Sequence, residues 1–188
     1  MAKTLVPSPQ LKNLIGSLVE SGTISGELAT KWKEKANANK KKEDILKRAR
    51  RGDVKAMELL GFNLTYGEDD FDKDSTEALQ WFQKAHEAGS IFGTAHFGSL
   101  LAQGIGGEEE KMKGSMLLGL AAGKGSDYAA FDLGMILAEG QCGFAVDTDE
   151  AIRLLTLALD DSCSHKTLKE ESKGKARDKM NELRSNNN

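Results

Sequence analysis

The chain is short of the residues that break helices and of those that staple small folds. Two prolines and two cysteines in 188 residues leave few places where a missing backbone N–H would end a helix. They also exclude a disulfide framework. Cys142 and Cys163 form no CxxC pair, so two reduced thiols are expected; a Cys142–Cys163 bridge between a loop and a helix end is the alternative. Aromatic residues make up only 6 %. Long apolar runs are missing too: the best, Met116 to Ala122, is far short of the ~20 residues a membrane span requires. After Lys3 the chain reads TLVPSPQ, with no apolar stretch and no small-residue cleavage site of the kind a secretory signal carries. The expectation is a soluble protein of the cytoplasm, with the nucleus as a second possibility.

Charged residues are abundant, at 29 %, and the net charge is −3. The length suits one domain and suffices to bury a core without metals or disulfides. Twenty glycines do not fit long uninterrupted helices, where each costs roughly 1 kcal/mol. They are expected at turns and at close helix contacts. The charge is unevenly distributed. Residues 31–51 hold ten basic side chains against three acids, a net of +7, which leaves −10 for the rest. Such asymmetry bears on partners.

Internal periodicity organises the chain. Stretches starting at Gly52, Gly89 and Gly125 align with register shifts of 37 and 36 residues. Under these shifts Leu60 falls on Phe97 and Leu133, and Gly61 on Gly98 and Gly134. Leu64 falls on Leu101 and Leu137, Gly67 on Gly104 and Gly140, and Ala85 on Ala122 and Ala158. Each unit reads as two helices. In the first unit Ala56, Leu60 and Leu64 share one helical face, Gly61 allows close approach on that side, and Gly67 ends the helix. A polar loop, Glu68 to Asp74, leads to a second helix that starts near Ser75 as N-cap. Its inner face is Ala78, Trp81, Phe82 and Ala85, and Gly89 ends it. The later units predict helices over Ser90–Gln103 and Glu109–Ala122, then over Ser126–Glu139 and Thr148–Asp160.

One such pair cannot bury its apolar face alone, whereas stacked pairs can. The fold class expected is all-α: a right-handed solenoid of about three two-helix repeats, 52–88, 89–124 and 125–160. A helical N-terminal cap with the basic segment (1–51) and a C-terminal capping helix with a tail (161–188) flank it. In the N-terminal cap, Leu11, Leu14, Ile15 and Leu18 form one amphipathic helix. Ile24, Leu28 and Trp32 begin a second, which runs on to Ile45, Leu46 and Ala49. Leu168, Met180 and Leu183 mark the C-terminal helix, and the final SNNN is expected to be disordered.

The pattern G-x3-A-x3-LG-x2-[YL]-x2-G, a variable loop, then A-x2-WF-x2-A-x3-G resembles the Sel1-like repeat, a relative of the tetratricopeptide repeat. The first copy carries it best, through Gly52, Ala56, Leu60, Gly61, Leu64, Gly67, Ala78, Trp81, Phe82, Ala85 and Gly89. The second departs from it, with Gly93 and Ser115 where alanines stand and Leu118–Gly119 for the aromatic pair. The third keeps Ala129, Leu133, Gly134, Gly140, Ala151 and Ala158 but has Leu154 and Leu155 for Trp-Phe. The resemblance covers residues 52–160. It implies a non-catalytic scaffold or adaptor that binds a peptide or helix of a protein partner on its concave face, lined by the first helix of each pair. Carried across, the groove positions are Lys55, Glu58, Phe62, Thr65 and Tyr66; then Phe92, Ala95, Ser99, Ala102 and Gln103; then Tyr128, Phe131, Met135, Ala138 and Glu139. Aromatic and Met side chains in a groove are anchors for such partners. The alternative for Phe92, Tyr128 and Phe131 is packing between repeats.

The basic segment 31–51 reads first as a solvated helix face. A nuclear-import or acidic-partner patch comes next. A nucleic-acid contact is the third reading, since Lys and Arg supply phosphate affinity, but only Trp32 offers a stacking ring there. No catalytic motif stands out. GLAAGKGS, Gly119 to Ser126, has three residues between its glycines where a phosphate loop needs four, and Lys124 is followed by Gly125. Asp70, Asp72 and Asp74 mimic the start of a calcium loop, but Ser75 and Trp81 occupy the positions of its Gly and Glu. His86, His96 and His165 complete no zinc pattern. No catalytic residue, metal site or cofactor is therefore expected, and no enzyme activity.

Overall fold

A computed structural model describes residues 8–186. The residues around Lys3 considered for a secretory signal, and the last two asparagines of the SNNN tail, lie outside the described residues. The described part contains nine α-helices and one 3-10 turn: α1 (Pro9–Glu20), α2 (Gly26–Arg50), α3 (Val54–Tyr66), α4 (Ser75–Glu87), α5 (Ile91–Ala102), α6 (Lys111–Gly123), α7 (Asp127–Glu139), α8 (Thr148–Leu159) and α9 (Glu170–Asn186), with the 3-10 turn Glu108–Glu110 ahead of α6. The protein is an all-α repeat solenoid. The chain divides into two compact units between Asp44 and Ile45, within α2.

In the first unit α1 opens with Ser8 as N-cap, whose hydroxyl accepts from Leu11 N. The buried residues of α1 are Gly16 and Val19, whereas Leu11 and Leu14, expected on the inner face, are about half exposed. The inner face is rotated by about one position because the Trp32 ring lies over Gly16, where a Cβ would stand 3.0 Å from it. Leu28, expected to help start the second helix's apolar face, is exposed and Ala29 is buried instead.

The second unit holds the repeats. The helices α3 and α4, α5 and α6, and α7 and α8 pair in chain order, and each pair packs on the next. The helix ends follow from local chemistry. Asp53, Asp74, Ser90, Ser126 and Asp147 each cap a helix, their side-chain oxygens accepting a backbone N–H three residues on. The caps of α4 and α8 are thus Asp74, one residue before the expected Ser75, and Asp147; a carboxylate there also meets the positive end of the helix dipole. Gly67 (φ 74°) ends α3 in the left-handed conformation, its N–H donating to Asn63 O. Repeats one and three share a loop closure: Asp74 N donates to Leu64 O and Asp147 N to Leu137 O, positions that coincide under the repeat register. Repeat two lacks it and reaches α6 through the 3-10 turn with no side-chain cap.

The core repeats as well. Ala78, Trp81, Phe82 and Ala85 of α4 are buried, as are Leu118, Ala121 and Ala122 of α6 and Ala151, Leu154, Leu155 and Ala158 of α8. Repeat glycines admit the opposing helix. A Cβ on Gly61 would meet the Phe82 ring at 2.9 Å, and one on Gly98 would stand 2.7 Å from Gly114 O. After α8 the chain crosses back: Ser126 and His165 form an isolated bridge. The buried Asp127 carboxylate accepts from Thr167 N (2.8 Å) and Leu168 N (3.1 Å). Leu168, Met180 and Leu183 are buried; Met180 and Leu183 lie on α9 as expected, Leu168 precedes it on the latch, and Ser185 and Asn186 extend α9 rather than begin a tail.

Candidate functional site

Stacking places side chains of α3, α5 and α7 on one face. Phe62 and Tyr66 of α3 lie ring against ring, 4.6 Å apart at 49°. His96 of α5 stacks between Phe82 (4.9 Å) and Tyr128 of α7 (4.5 Å), and contacts Phe92 at 4.2 Å. Ser99, one turn further along α5, donates to Asp132 Oδ2 at 2.5 Å. Its single proton is thereby committed, so its contacts with Tyr128 OH (3.0 Å) and Gln103 Nε2 (3.0 Å) are ones in which Ser99 Oγ accepts. A cleft of about 250 Å³ opens here, lined by Thr65, Tyr66, Lys73, Ser75, His96, Ser99, Leu100, Gln103 and Tyr128.

Burial governs the electrostatics. It lowers the His96 pKa to about 3, so the imidazole is neutral, with one N–H donor and one lone-pair acceptor. Burial raises the Asp132 carboxyl, against the lowering effect of the Ser99 hydroxyl that donates to it and the Tyr128 hydroxyl nearby. Burial raises both phenols too, and the Asp132 charge adds to the shift of each. Asp132 has no ion pair among the described residues. Lys169, just after the Thr167–Leu168 latch on Asp127, places Nζ over the Tyr66 and Phe62 rings, at 5.3 and 5.6 Å from their centres.

The expected groove residues divide. Phe62, Thr65, Tyr66, Ser99, Gln103 and Tyr128 meet on this face. Phe92 is half-buried against Phe82 and His96. Phe131 and Met135 are half-buried and packed against the core, Met135 beside Leu155, Ala176 and Met180. Ala95 and Ala138 are buried. Ala102 is half-buried, and its carbonyl accepts from Cys142 Sγ. Lys55 is exposed and pairs with Glu58, which is 8 % exposed and also accepts from Ser90 Oγ at 2.6 Å. That bond ties repeat one to the cap of repeat two. Glu139, at the end of α7, lies 4.0 Å from Lys179 of α9.

Three members of the face were not foreseen: His96, Asp132 and Lys169. Under the repeat register Leu59, His96 and Asp132 are one position, so a polar residue replacing Leu59 in both later copies was the available signal for two of them. Elsewhere, the basic segment lies along α2, where Lys31 pairs with Glu27 at 2.6 Å. Both cysteines are free thiols, with Cys163 buried. Among the described residues there is no group of three or more His, Cys, Asp or Glu that could hold a metal ion, and no helix long and apolar enough to cross a membrane.

The fold and this shared face define a helical repeat protein of the two-helix kind. Residues 54–90 and 127–162 match the Sel1 repeat model, so the chain carries Sel1-like repeats. The unmatched stretch is the second copy, which keeps the helix pair and Ala122 but has Gly93 and Ser115 at the other two Ala positions and Leu118–Gly119 for Trp-Phe. No curated protein matches the chain. Among solved structures it is similar to c5321, a protective antigen of uropathogenic Escherichia coli strains displaying an SLR fold, at 24 % identity over 79 % of this chain, with a TM-score of 0.54. The chain spans about 30 % of that protein's length. It is also similar to a Sel1 repeat protein from Oxalobacter formigenes, at 21 % identity, covering 97 % of this chain and 91 % of that one, TM-score 0.54. These likenesses bear on fold; none of them points to nucleic acid. Sel1 repeat proteins generally serve as protein–protein interaction scaffolds.

Proposed function

We propose that the chain is a non-catalytic scaffold or adaptor that binds a peptide or helix of a partner protein on the face formed by α3, α5 and α7. The reading rests on one observation: rings and hydrogen-bonding groups from three successive repeats converge on a single cleft that stays open, with Tyr66 48 % exposed at its edge. Aromatic rings supply contact area, and Gln103 with the hydroxyls around it supplies orientation, the combination that peptide-binding surfaces use. The nearby Ser99, His96 and Asp132 do not form a Ser–His–Asp relay. Ser99 donates to the carboxylate and has no hydrogen bond to His96, whose low pKa is set by burial alone.

The test is affinity capture from native extract with the full chain, Tyr66→Ala and Gln103→Ala as parallel baits, read by mass spectrometry. A partner retained by the parent chain and depleted on both variants, with helicity unchanged by circular dichroism, is the expected result. Equal retention by all three baits refutes the assignment of this face.

A further inference from the structure

The chain supplies its own ligand to this face. Lys169 follows directly on the backbone latch in which Asp127 accepts from Thr167 N and Leu168 N. The latch fixes where the side chain starts, and the ammonium ends over Tyr66 and Phe62. Nothing else holds it there: among the described residues Lys169 has no carboxylate within ion-pair distance. A cation over two ring faces is attracted by their quadrupoles. Two further observations say that the surroundings favour positive charge. The Asp132 charge acts on both Tyr66 and Tyr128, yet among the described residues its carboxylate has a hydroxyl donor, Ser99, and no ion pair. Residues 52–188 as a whole carry a net −10. Lys73 at the rim works the other way, and Glu68, which acts on Tyr66, offsets it.

The geometry points to a recognition site for a basic side chain: the partner segment inserts a Lys or Arg over Tyr66 and Phe62, where the Asp132 charge is felt, and Lys169 is the resident cation it displaces. This deepens the reading of the face as a protein-binding surface and rests on it. Lys169 therefore acts as a competitor built into the chain. The segment 164–169 sets how readily the face opens, because the latch on Asp127 holds its backbone while only the side chain leaves. Arg fits better than Lys, since a planar guanidinium stacks on a ring face.

The experiment uses the full chain with tyrosine resonances assigned by NMR and three capped alanine pentapeptides that carry Lys, Glu or Leu at the centre. The parent, Lys169→Ala and Lys169→Ala/Tyr66→Ala are titrated, with folding checked by circular dichroism. The lysine peptide is expected to shift the Tyr66 and Tyr128 signals. Its dissociation constant is expected to be about two- to five-fold lower for Lys169→Ala than for the parent, the factor that one exposed cation–π contact corresponds to. The Tyr128 response is expected to vanish in the double variant. Equal constants for the parent and Lys169→Ala overturn Lys169 as resident cation. Shifts of Tyr66 and Tyr128 with the leucine or glutamate peptide, and none with lysine, overturn the basic-side-chain assignment but leave the binding face standing. No shift with any peptide on folded protein removes both.

Discussion

Gly98→Val tests the stacking most severely, and its size can be worked from the contacts. Gly98 on α5 and Gly114 on α6 face each other at the closest approach of repeat two. A Cβ on Gly98 would stand 2.7 Å from Gly114 O, 3.0 Å from Leu118 N and 3.1 Å from Leu117 Cβ. A Cβ on Gly114 would stand 2.6 Å from Gly98 O. The obstacles are backbone atoms, so no rotamer change relieves the clash and the helices must part. Valine adds two methyl groups beyond that Cβ. Overpacking of this kind costs roughly 1–3 kcal/mol or more, and the gain from replacing a helical Gly with a β-branched residue returns only about 0.5 kcal/mol. The net loss of about 0.5–2.5 kcal/mol or more corresponds to a fall in Tm of roughly 1–10 °C or more for a chain of this size. Gly119→Ala on α6 is the matched control. Its Cβ would meet only Leu133 Cδ2, at 3.7 Å, so the propensity gain of about 1 kcal/mol should raise Tm. Circular dichroism melts of the two variants and the parent decide the matter. A Gly98→Val chain that melts with the parent, or above it, refutes the close helix pairing.

Three further outcomes are expected. The pKa of His96 is lowered to about 3 in the fold from an unfolded value near 6.5, so the unfolded state binds more protons between those values. Its contribution is therefore complete above the unfolded pKa and is lost as pH falls, about 2 kcal/mol by pH 5. Asp132, whose carboxyl is raised, slopes the other way, so the readout is the difference between the urea stability profiles of the parent and His96→Gln, which should be flatter over that range. Asp127→Ala leaves the amides of Thr167 and Leu168 without their acceptor. It should cost about 1–3 kcal/mol and raise hydrogen exchange over residues 163–186 before it rises in α3–α6. Phe82 is fully buried, and Phe82→Ala should cost about 3–5 kcal/mol in a denaturant titration.

Most of the fold was legible because glycine and alanine spacing encodes helix contacts directly. Gly61, Gly98 and Gly134 recur where helices meet, and the buried alanines follow the same register. Helix ends were legible to within a residue or two; the cap of α4 was missed at Asp74, where a carboxylate wins the capping role from the Ser75 hydroxyl beside it. The N-terminal helix was less legible. Its leucines suggested one stripe, but the Trp32 ring over Gly16 selects another, and a local pattern does not carry that tertiary preference. The face of α3, α5 and α7 was half legible. Tyr66 and Gln103, one position in the repeat register, line the cleft, and Tyr128 closes it against His96, whereas Phe131 and Met135, the register partners of Ala95 and Ser99, turn into packing with later elements. Lys169 was not legible at all, because it reaches the face only through the return of the chain onto Asp127, some forty residues back in sequence.

The account depends on successive repeats aligning so that α3, α5 and α7 present one continuous face. Nuclear Overhauser contacts between ring protons test this directly, using chain labelled selectively at His, Phe and Tyr. The account predicts strong His96–Tyr128 and His96–Phe82 cross-peaks, from ring centres 4.5 and 4.9 Å apart, and a weaker His96–Phe62 cross-peak at 6.2 Å. A folded, helical chain with no His96–Tyr128 cross-peak contradicts it.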